Sequence, residues 1–351
     1  MEPRKNPVGM LDLMIRPAFC VKENKIIQCN AAAEALLLFP GQSILPLLLT
    51  GQEEYAAFSG GCLYLKLALT ATGCGATVTK LEDQDVFVLD MESDDSELRV
   101  LALAARELRD PLAGLMLSAD RLSQSEETRE QSARLNRSLH QLLRIISNMS
   151  DAGTMAASSH QETLDVTALF GEILEKAQTL LDHTGIQLRW KPLAEEILCL
   201  ADREQLERAV WNILSNAVKF TPKDGIIEVS LTRQGRMLRL SVCDNGSGIT
   251  ETVRSSVFSR YLRQPGIEDN RFGLGLGLVL VRSAAANHGG TLLIDQPEGK
   301  GTRITMTLAI RQNPDNLFRS PIMRVDYAGE RDHGLLEFSE SLPAFLYEKE
   351  F

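Results

Sequence analysis

The sequence predicts a multidomain α+β protein built from three units: a small α+β module, a helical hairpin that pairs with a second copy as a four-helix bundle, and a two-layer α/β sandwich. Three observations carry the prediction. The chain has 351 residues, more than one hydrophobic core usually organises. Near residue 93 short β-rich runs give way to an apolar spacing of three and four. Near residue 163 that spacing gives way to amphipathic helices mixed with strands. The implied units are 1–92, 93–158 and 163–311, followed by a tail, 312–351, without readable periodicity.

In the first unit the apolar runs "AFCVKE", "KIIQCN", "CLYLKLAL", "ATVTKLE" and "QDVFVLD" read as strands, and "NAAAEALLL" as an intervening helix. The acidic "MESDDSE" (91–97) suits a helix start, where carboxylates meet the positive end of the dipole. Leu101, Ala105, Leu108, Leu112, Leu115, Ala119 and Leu122 then lay one apolar seam along a helix, and Leu135, Leu139, Leu142, Ile146 and Met149 repeat it on a second. One hairpin leaves part of that seam in water, so a homodimer is expected. Beyond 163, "VTALFGEILEKAQTLLDH" and "DREQLERAVWNILSNAVKF" read as helices, whereas "GIQLRW", "GIIEVSLTR", "RMLRLSVCD", "GTLLIDQ" and "TRITMTLAI" read as strands.

Composition excludes some partners. With 37 basic and 47 acidic residues, a net charge of −10, the surface suits neither a nucleic-acid backbone nor anionic lipid. The most apolar stretch, 31–51, is broken by Glu34, Pro40, Gln42 and Pro46. It falls short of the roughly 18 continuous apolar residues of a membrane span. The N-terminus lacks the pattern of a signal peptide, and the six cysteines form no C-x-x-C pair. A cytoplasmic chain without nucleic-acid or membrane contacts is the expectation.

Four separated segments carry chemistry. In "ERAVWNILSNAVKFTP" Asn212 and Asn216 share a helix face, with Lys219 one position short of the next turn. An amide carbonyl suits the oxygen shell of Mg2+ and a lysine suits phosphate. In "CDNGSGI" Asp244 ends a strand, and Gly246 and Gly248 permit tight turns. A carboxylate there can accept a hydrogen bond from an exocyclic amine. In "RFGLGLGLVLV" Gly273, Gly275 and Gly277 lead into a helix whose first amides suit phosphate, and in "GKGTRITMTL" Gly299 and Gly301 turn into Thr302 and a strand. Between the second and third lies "VFSRYLRQPGIEDNR", a long polar loop of the kind that forms lids.

In this order the four segments resemble the ATP-binding domain shared by sensor histidine kinases, gyrase-type ATPases, Hsp90 and MutL proteins. The resemblance implies ATP and Mg2+ as cofactors. Asn212 and Asn216 match the N box, the second being the metal ligand in the family, and Lys219 matches the phosphate-facing residue beyond it. Asp244 matches the contact to the adenine amine, with Gly246 and Gly248 as its glycines. Phe258 and Arg263 match the lid, Gly273, Gly275 and Gly277 the phosphate turn, and Thr302 the last box. Phe272 and Arg260 depart from a frequent glycine and proline. His288, in "ANHGG", reads as a structural histidine. At the N-terminus "PAFCVKENKIIQCNAAAEALL" resembles a PAS sensor domain, and the pattern equally suits a generic small α+β module.

The hairpin carries the largest departure. "RELRDPL" (106–112) resembles the histidine kinase segment H-E-L-R-T-P-L, with Glu107, Leu108, Arg109, Pro111 and Leu112 retained. Arg106 stands where the family has its phospho-accepting histidine, and Asp110 where it has threonine or asparagine. A guanidinium stays protonated and offers no lone pair, so self-phosphorylation at residue 106 is not expected. Arg106 and Asp110 lie one helical turn apart, within reach of an ion pair. Glu107 is the retained acid of this segment, and His140 on the second helix is a weak substitute acceptor. The resemblance implies a signal-transduction protein of two-component type, a homodimer whose further partner is a response regulator or a partner kinase. The alternatives are an active kinase of this ATP fold acting on a partner protein, and a plain ATPase.

Overall fold

The computed structural model describes residues 11, 14–71, 73–81, 83–90, 95–122, 128–154, 160–249, 276–297, 300–311 and 332–348. In the N-terminal module five strands, β1 (Ala18–Lys22), β2 (Lys25–Cys29), β3 (Cys62–Leu67), β4 (Cys74–Leu81) and β5 (Gln84–Leu89), form an antiparallel sheet in the order β2-β1-β5-β4-β3. All five expected strands are present. The expected helix shortens to α1 (Ala31–Glu34), and α2 (Gln52–Ala56) follows. Asn30 caps α1: its Oδ1 accepts from the amides of Ala33 and Ala18, both at 3.0 Å. Phe19, Phe87 and Leu65 fill the core beneath the sheet, with no exposure.

The hairpin consists of α3 (Asp95–Leu122) and α4 (Arg129–Thr154). Helix α3 runs through Pro111, which has no amide hydrogen for the carbonyl of Glu107. The expected single seam divides in two. Ala105, Leu112, Met116 and Ala119 pack within the hairpin against Leu139, Leu143 and Ile146. Leu108 and Leu115 stay 48% and 57% exposed, and Leu135 and Leu142 of α4 are exposed as well. The reason is geometric: a straight helix has 3.6 residues per turn, so a spacing of three and four spreads across two adjacent faces. One face closes the hairpin and the other is left apolar in water.

The third unit joins strands β7 (Gln187–Trp190), β9 (Ile226–Gln234), β10 (Met237–Asp244), β11 (Leu292–Asp295) and β12 (Arg303–Ala309) in the order β11-β12-β10-β9-β7. Only β7 and β9 run parallel in it. Helices α5 (Val166–Leu181), α6 (Arg203–Phe220) and α7 (Gly277–Asn287) supply the second layer of the core. Two short strands absent from the sequence reading, β6 (Glu162–Asp165) and β8 (Leu198–Ala201), pair as a separate sheet. The expected two-layer α/β sandwich is the architecture found.

The first and third units share a sheet. Strand β3 pairs antiparallel with β11, Leu293 opposite Leu63, making ten continuous strands. Gly61 enters this junction at φ +90°, where a Cβ would stand 2.3 Å from the Ile294 carbonyl oxygen. Arg282 of α7 is 5% exposed, pairs with Asp90 at 2.8 Å and lies 4.8 Å from the Tyr64 ring centre. A buried guanidinium held by both a carboxylate and a ring face fixes the junction.

A four-helix bundle formed by two hairpins would cover the exposed leucine face. Replacing Leu108 and Leu115 together with Asp should convert a dimer to a monomer in light scattering while the helical circular dichroism is retained. A parent protein that is already monomeric would refute this.

Candidate functional site

Helix α6 is the spine of the site. Asp202 caps it, its Oδ1 accepting from the Gln205 amide at 3.1 Å. At the middle of the helix Asn212 is 1% exposed and donates from Nδ2 to the Arg208 carbonyl at 2.9 Å. Its Oδ1 is buried without a hydrogen-bond partner among the described residues. A Cβ on Gly277, the first residue of α7, would stand 2.6 Å from that oxygen, so only glycine lets the two approach. One turn along α6, Asn216 is half-buried. At the end of the helix the Phe220 carbonyl lies where a Cβ on Gly246 would come within 2.3 Å. Thus α6 touches Gly277 with its centre and Gly246 with its C-terminus, and Asn216 stands between.

Asp244 ends β10 and is 6% exposed. Its Oδ1 accepts from the amides of Gly246 at 2.8 Å and Thr302 at 3.2 Å. Oδ2 has no hydrogen-bond partner among the described residues. Burial pushes its carboxyl above the ordinary value of 3.8, and the amide hydrogen bonds from Gly246 and Thr302 pull the other way. Gly248 adopts φ +76° and lies against Gly301, while Gly301, at φ +111°, would carry a Cβ 1.9 Å from the Asp244 carbonyl oxygen. Asp244, Gly246, Gly248, Gly301 and Thr302 therefore form one corner, with an acceptor oxygen held beside bare backbone.

Helix α7 begins at Gly277 without a side-chain hydrogen bond to its first amides. Those amides keep the partial positive charge of a helix start. Phe258, Arg260, Arg263, Phe272, Gly273, Gly275 and Gly299 lie outside the described residues. Among the described residues no group of three or more His, Cys, Asp and Glu side chains could hold a metal ion. A divalent cation would find amide oxygen here. Of the two asparagines Asn216 is the accessible one, whereas Asn212 Oδ1 abuts the start of α7. A single neutral oxygen suits Mg2+ that takes its other ligands from phosphate and water.

Lys219 has a partner that no sequence pattern indicated. Its Nζ lies 2.7 Å from Glu340 Oε2, and its side chain is 11% exposed. On the hairpin Arg106, Glu107 and Asp110 are all exposed, and no ion pair joins Arg106 to Asp110 among the described residues. His140 is half-buried, with Nδ1 at 2.8 Å from the Asn136 carbonyl and its ring edge-on to Tyr347.

Two family models match the chain. Residues 201–312 match the histidine kinase-, DNA gyrase B- and HSP90-like ATPase, and residues 96–158 match the His Kinase A (phospho-acceptor) domain. An adaptive-response sensory kinase SasA from Rippkaea orientalis (strain PCC 8801 / RF-1) is 30% identical over 264 residues, covering 69% of this chain and 67% of that protein. The SasA of Parasynechococcus marenigrum (strain WH8102) is 29% identical over 66% of this chain and 63% of its own. Among solved structures, full-length ShkA in complex with AMPPNP is 25% identical, with a TM-score of 0.49 over 61% of this chain and 46% of its own. The chain spans between about half and two thirds of the length of the first curated relatives it matches. The chain belongs to the sensor histidine kinase family. Among the described residues no helix is long and apolar enough to cross a membrane.

His288 anchors the start of α6. It is 3% exposed, its Nδ1–H donates to the Ala284 carbonyl at 2.7 Å, and its Nε2 accepts from the Asp202 amide at 2.9 Å. The Asp202 contact needs the neutral ring, and burial holds its pKa below the ordinary 6.5, although the hydrogen bond to Ala284 pulls the other way. As pH falls through 6.5, the unfolded chain takes up a proton that the folded chain refuses, so stability falls with pH. In His288→Gln, urea unfolding followed from about pH 7.5 to about pH 5.5 should show a flatter loss of stability than the parent. An unchanged slope would mean that the ring titrates alike in the folded and the unfolded chain, and would refute its being held neutral by the fold.

Proposed function

We propose that the chain binds ATP with Mg2+ in its third unit and signals as a histidine-kinase-type homodimer that does not phosphorylate itself at the usual position. Its partner on this reading is a response regulator or a partner kinase. One observation carries the proposal. Arg106 occupies the acceptor place on an exposed stretch of α3, in the same chain as a preserved corner of Asp244, Gly246, Gly248, Gly301 and Thr302. On this reading the acceptor is lost while the nucleotide corner is kept.

In this reading Asp244 Oδ2 accepts from the adenine amine, and the glycines at 246 and 248 let the ring lie against the backbone. The first amides of α7 face the phosphates, and the family resemblance assigns Gly273 and Gly275 to the same phosphate turn and Arg263 to the lid. Lys219 neutralises phosphate charge. Asn212 packs against the start of α7, and Asn216 would be the protein ligand of Mg2+, which when bound would neutralise the phosphate chain. Glu107 is the acid that would assist an acceptor at 106. The guanidinium of Arg106 has no lone pair to attack phosphorus, so no N–P bond forms there. We assign 93–158 to the dimerising hairpin, 163–311 to the ATP-binding domain and 1–92 to a PAS-like sensor module. The succession of β1, turn, β2 and the Asn30-capped α1 supports the last assignment.

Calorimetry with a nonhydrolysable ATP analogue tests the corner. Loss of a buried acceptor costs about 1 to 3 kcal/mol, so Asp244→Ala should weaken binding about fivefold or more. An unchanged affinity would remove Asp244 from the adenine contact.

Incubation with γ-labelled ATP tests the acceptor. The parent should gain no acid-labile, base-stable phosphate, whereas Arg106→His with Asp110→Thr should label itself at residue 106. The second change removes a carboxylate that would repel incoming phosphate. A double variant that binds ATP and stays unlabelled would show that transfer has been lost along with the acceptor. Label appearing on the parent at His140, or on an added partner protein that does not label itself when alone, would overturn the proposal.

A further inference from the structure

Residues 332–348 occupy the angle between the hairpin and the ATP-type domain. Asp332 caps a short helix α8 (His333–Glu337), its Oδ1 accepting from the Leu335 amide at 3.0 Å. Leu336 enters the core of the hairpin, while Phe338, Leu342, Leu346 and Tyr347 belong to the core of the sandwich. Gly334 packs so closely that a Cβ would stand 2.5 Å from Leu180 and 3.0 Å from the Trp211 ring. The segment is thus shared between two units, with side chains committed to both.

Its polar contacts are as specific. Glu337 has no exposure and pairs with Arg144 of α4 at 2.9 Å. The same Arg144 reaches Glu340 at 3.1 Å. Arg137 donates to the carbonyls of Ser339 at 2.9 Å and Glu340 at 2.8 Å, and Ser215 of α6 donates to the Glu337 carbonyl at 2.9 Å. Glu340 completes the set by pairing with Lys219 at 2.7 Å. On α6 Trp211, Ser215 and Lys219 recur every four residues and share the face covered by the segment. Asn212 lies on the neighbouring face, against the start of α7, and Asn216 stands one turn further along that face. Lys219 sits where the two faces meet, and Glu340 draws its ammonium toward the segment.

We propose that the C-terminal segment is an internal inhibitor, with Glu340 holding Lys219 in the place of a nucleotide phosphate. The proposal rests on Lys219 being the phosphate-facing lysine of the ATP site. A lysine carries one compact charge, and a carboxylate in contact both neutralises it and repels a polyanion. Arg144 makes the exchange feasible: it keeps Glu340 paired when Lys219 turns to phosphate. Because Arg144 belongs to the hairpin and also clamps Glu337, a movement of the hairpin against the sandwich loosens the same contact. Nucleotide binding and hairpin position are thereby coupled through one segment.

The test uses the full chain and a nonhydrolysable ATP analogue, with affinities from calorimetry and amide exchange followed over 332–348. Glu340→Gln should bind the analogue about fivefold or more tightly than the parent. Adding Lys219→Gln to it should abolish that gain, and the analogue should speed exchange of 332–348 in the parent. Glu340 is 32% exposed, so its neutralisation leaves the fold intact, as unchanged circular dichroism would verify. Equal affinities of parent and Glu340→Gln, with exchange unaffected by the analogue, would overturn the inhibitor and leave the ATP site standing. A gain that survives Lys219→Gln would also overturn it. Absence of binding in both parent and Glu340→Gln would overturn the ATP site itself, and the inhibitor with it.

Discussion

The arrangement of the units depends on a buried guanidinium. Arg208, in the middle of α6, is 2% exposed, and a charge cannot stand there alone. It reaches the hairpin, where Asn148 Oδ1 lies at 3.1 Å and Asp151 forms the ion pair. Removing either acidic or basic partner would strand the other in a dry interface, so the pair sets where α4 lies against α6. The remaining faces of α6 are then assigned. Asn212 meets the start of α7, Trp211 meets Phe338 edge-on at 5.3 Å, and Glu207 pairs with His333. A helix enclosed on so many sides transmits a shift at one contact to the others.

The elements that sequence reasoning found are those with an internal period. β9 alternates burial through most of its length, and the amphipathic α5 buries Val166, Leu169, Phe170, Ile173 and Leu174 at helical spacing. Strands β6 and β8 have four residues each, too few to display a period. The pairing of β3 with β11 had no local signature, because both strands read correctly and nothing in either names its neighbour. The tail was illegible for a related reason. Leu336, Phe338, Leu342 and Tyr347 are spaced for partners on different helices, so their burial follows no period of their own.

The candidate site divides in the same way. Asp244, Gly246, Gly301 and Thr302 were legible because each contact is made by backbone close to a glycine, and glycine announces such approaches in sequence. The pairing of Lys219 with Glu340 and the clamp of Arg144 on Glu337 were not, since an ion pair between distant residues leaves no pattern. The split of the leucine seam into a hairpin core and an exposed face was also hidden: composition cannot distinguish Leu112 from Leu108, and only the direction of each from the helix axis does.

That same distinction bears on the residues around Arg106. Leu112 and Ala105 are buried in the hairpin, so packing accounts for them. Leu108 belongs to the exposed apolar face, and covering by a second hairpin would account for it. Glu107 and Arg109 differ: both are exposed, and neither makes an ion pair among the described residues. Neither hairpin packing nor α-helix stability requires a charge at those positions, because exposed helix sites accept most residues at a cost of a few tenths of a kcal/mol. A fixed pattern of Arg106, Glu107, Arg109 and Asp110 on a solvent-facing turn is therefore a surface that stabilises nothing within its own hairpin. On the reading proposed above, any contact this turn makes with another unit or another protein would be electrostatic rather than covalent, since the guanidinium at 106 has no lone pair to offer.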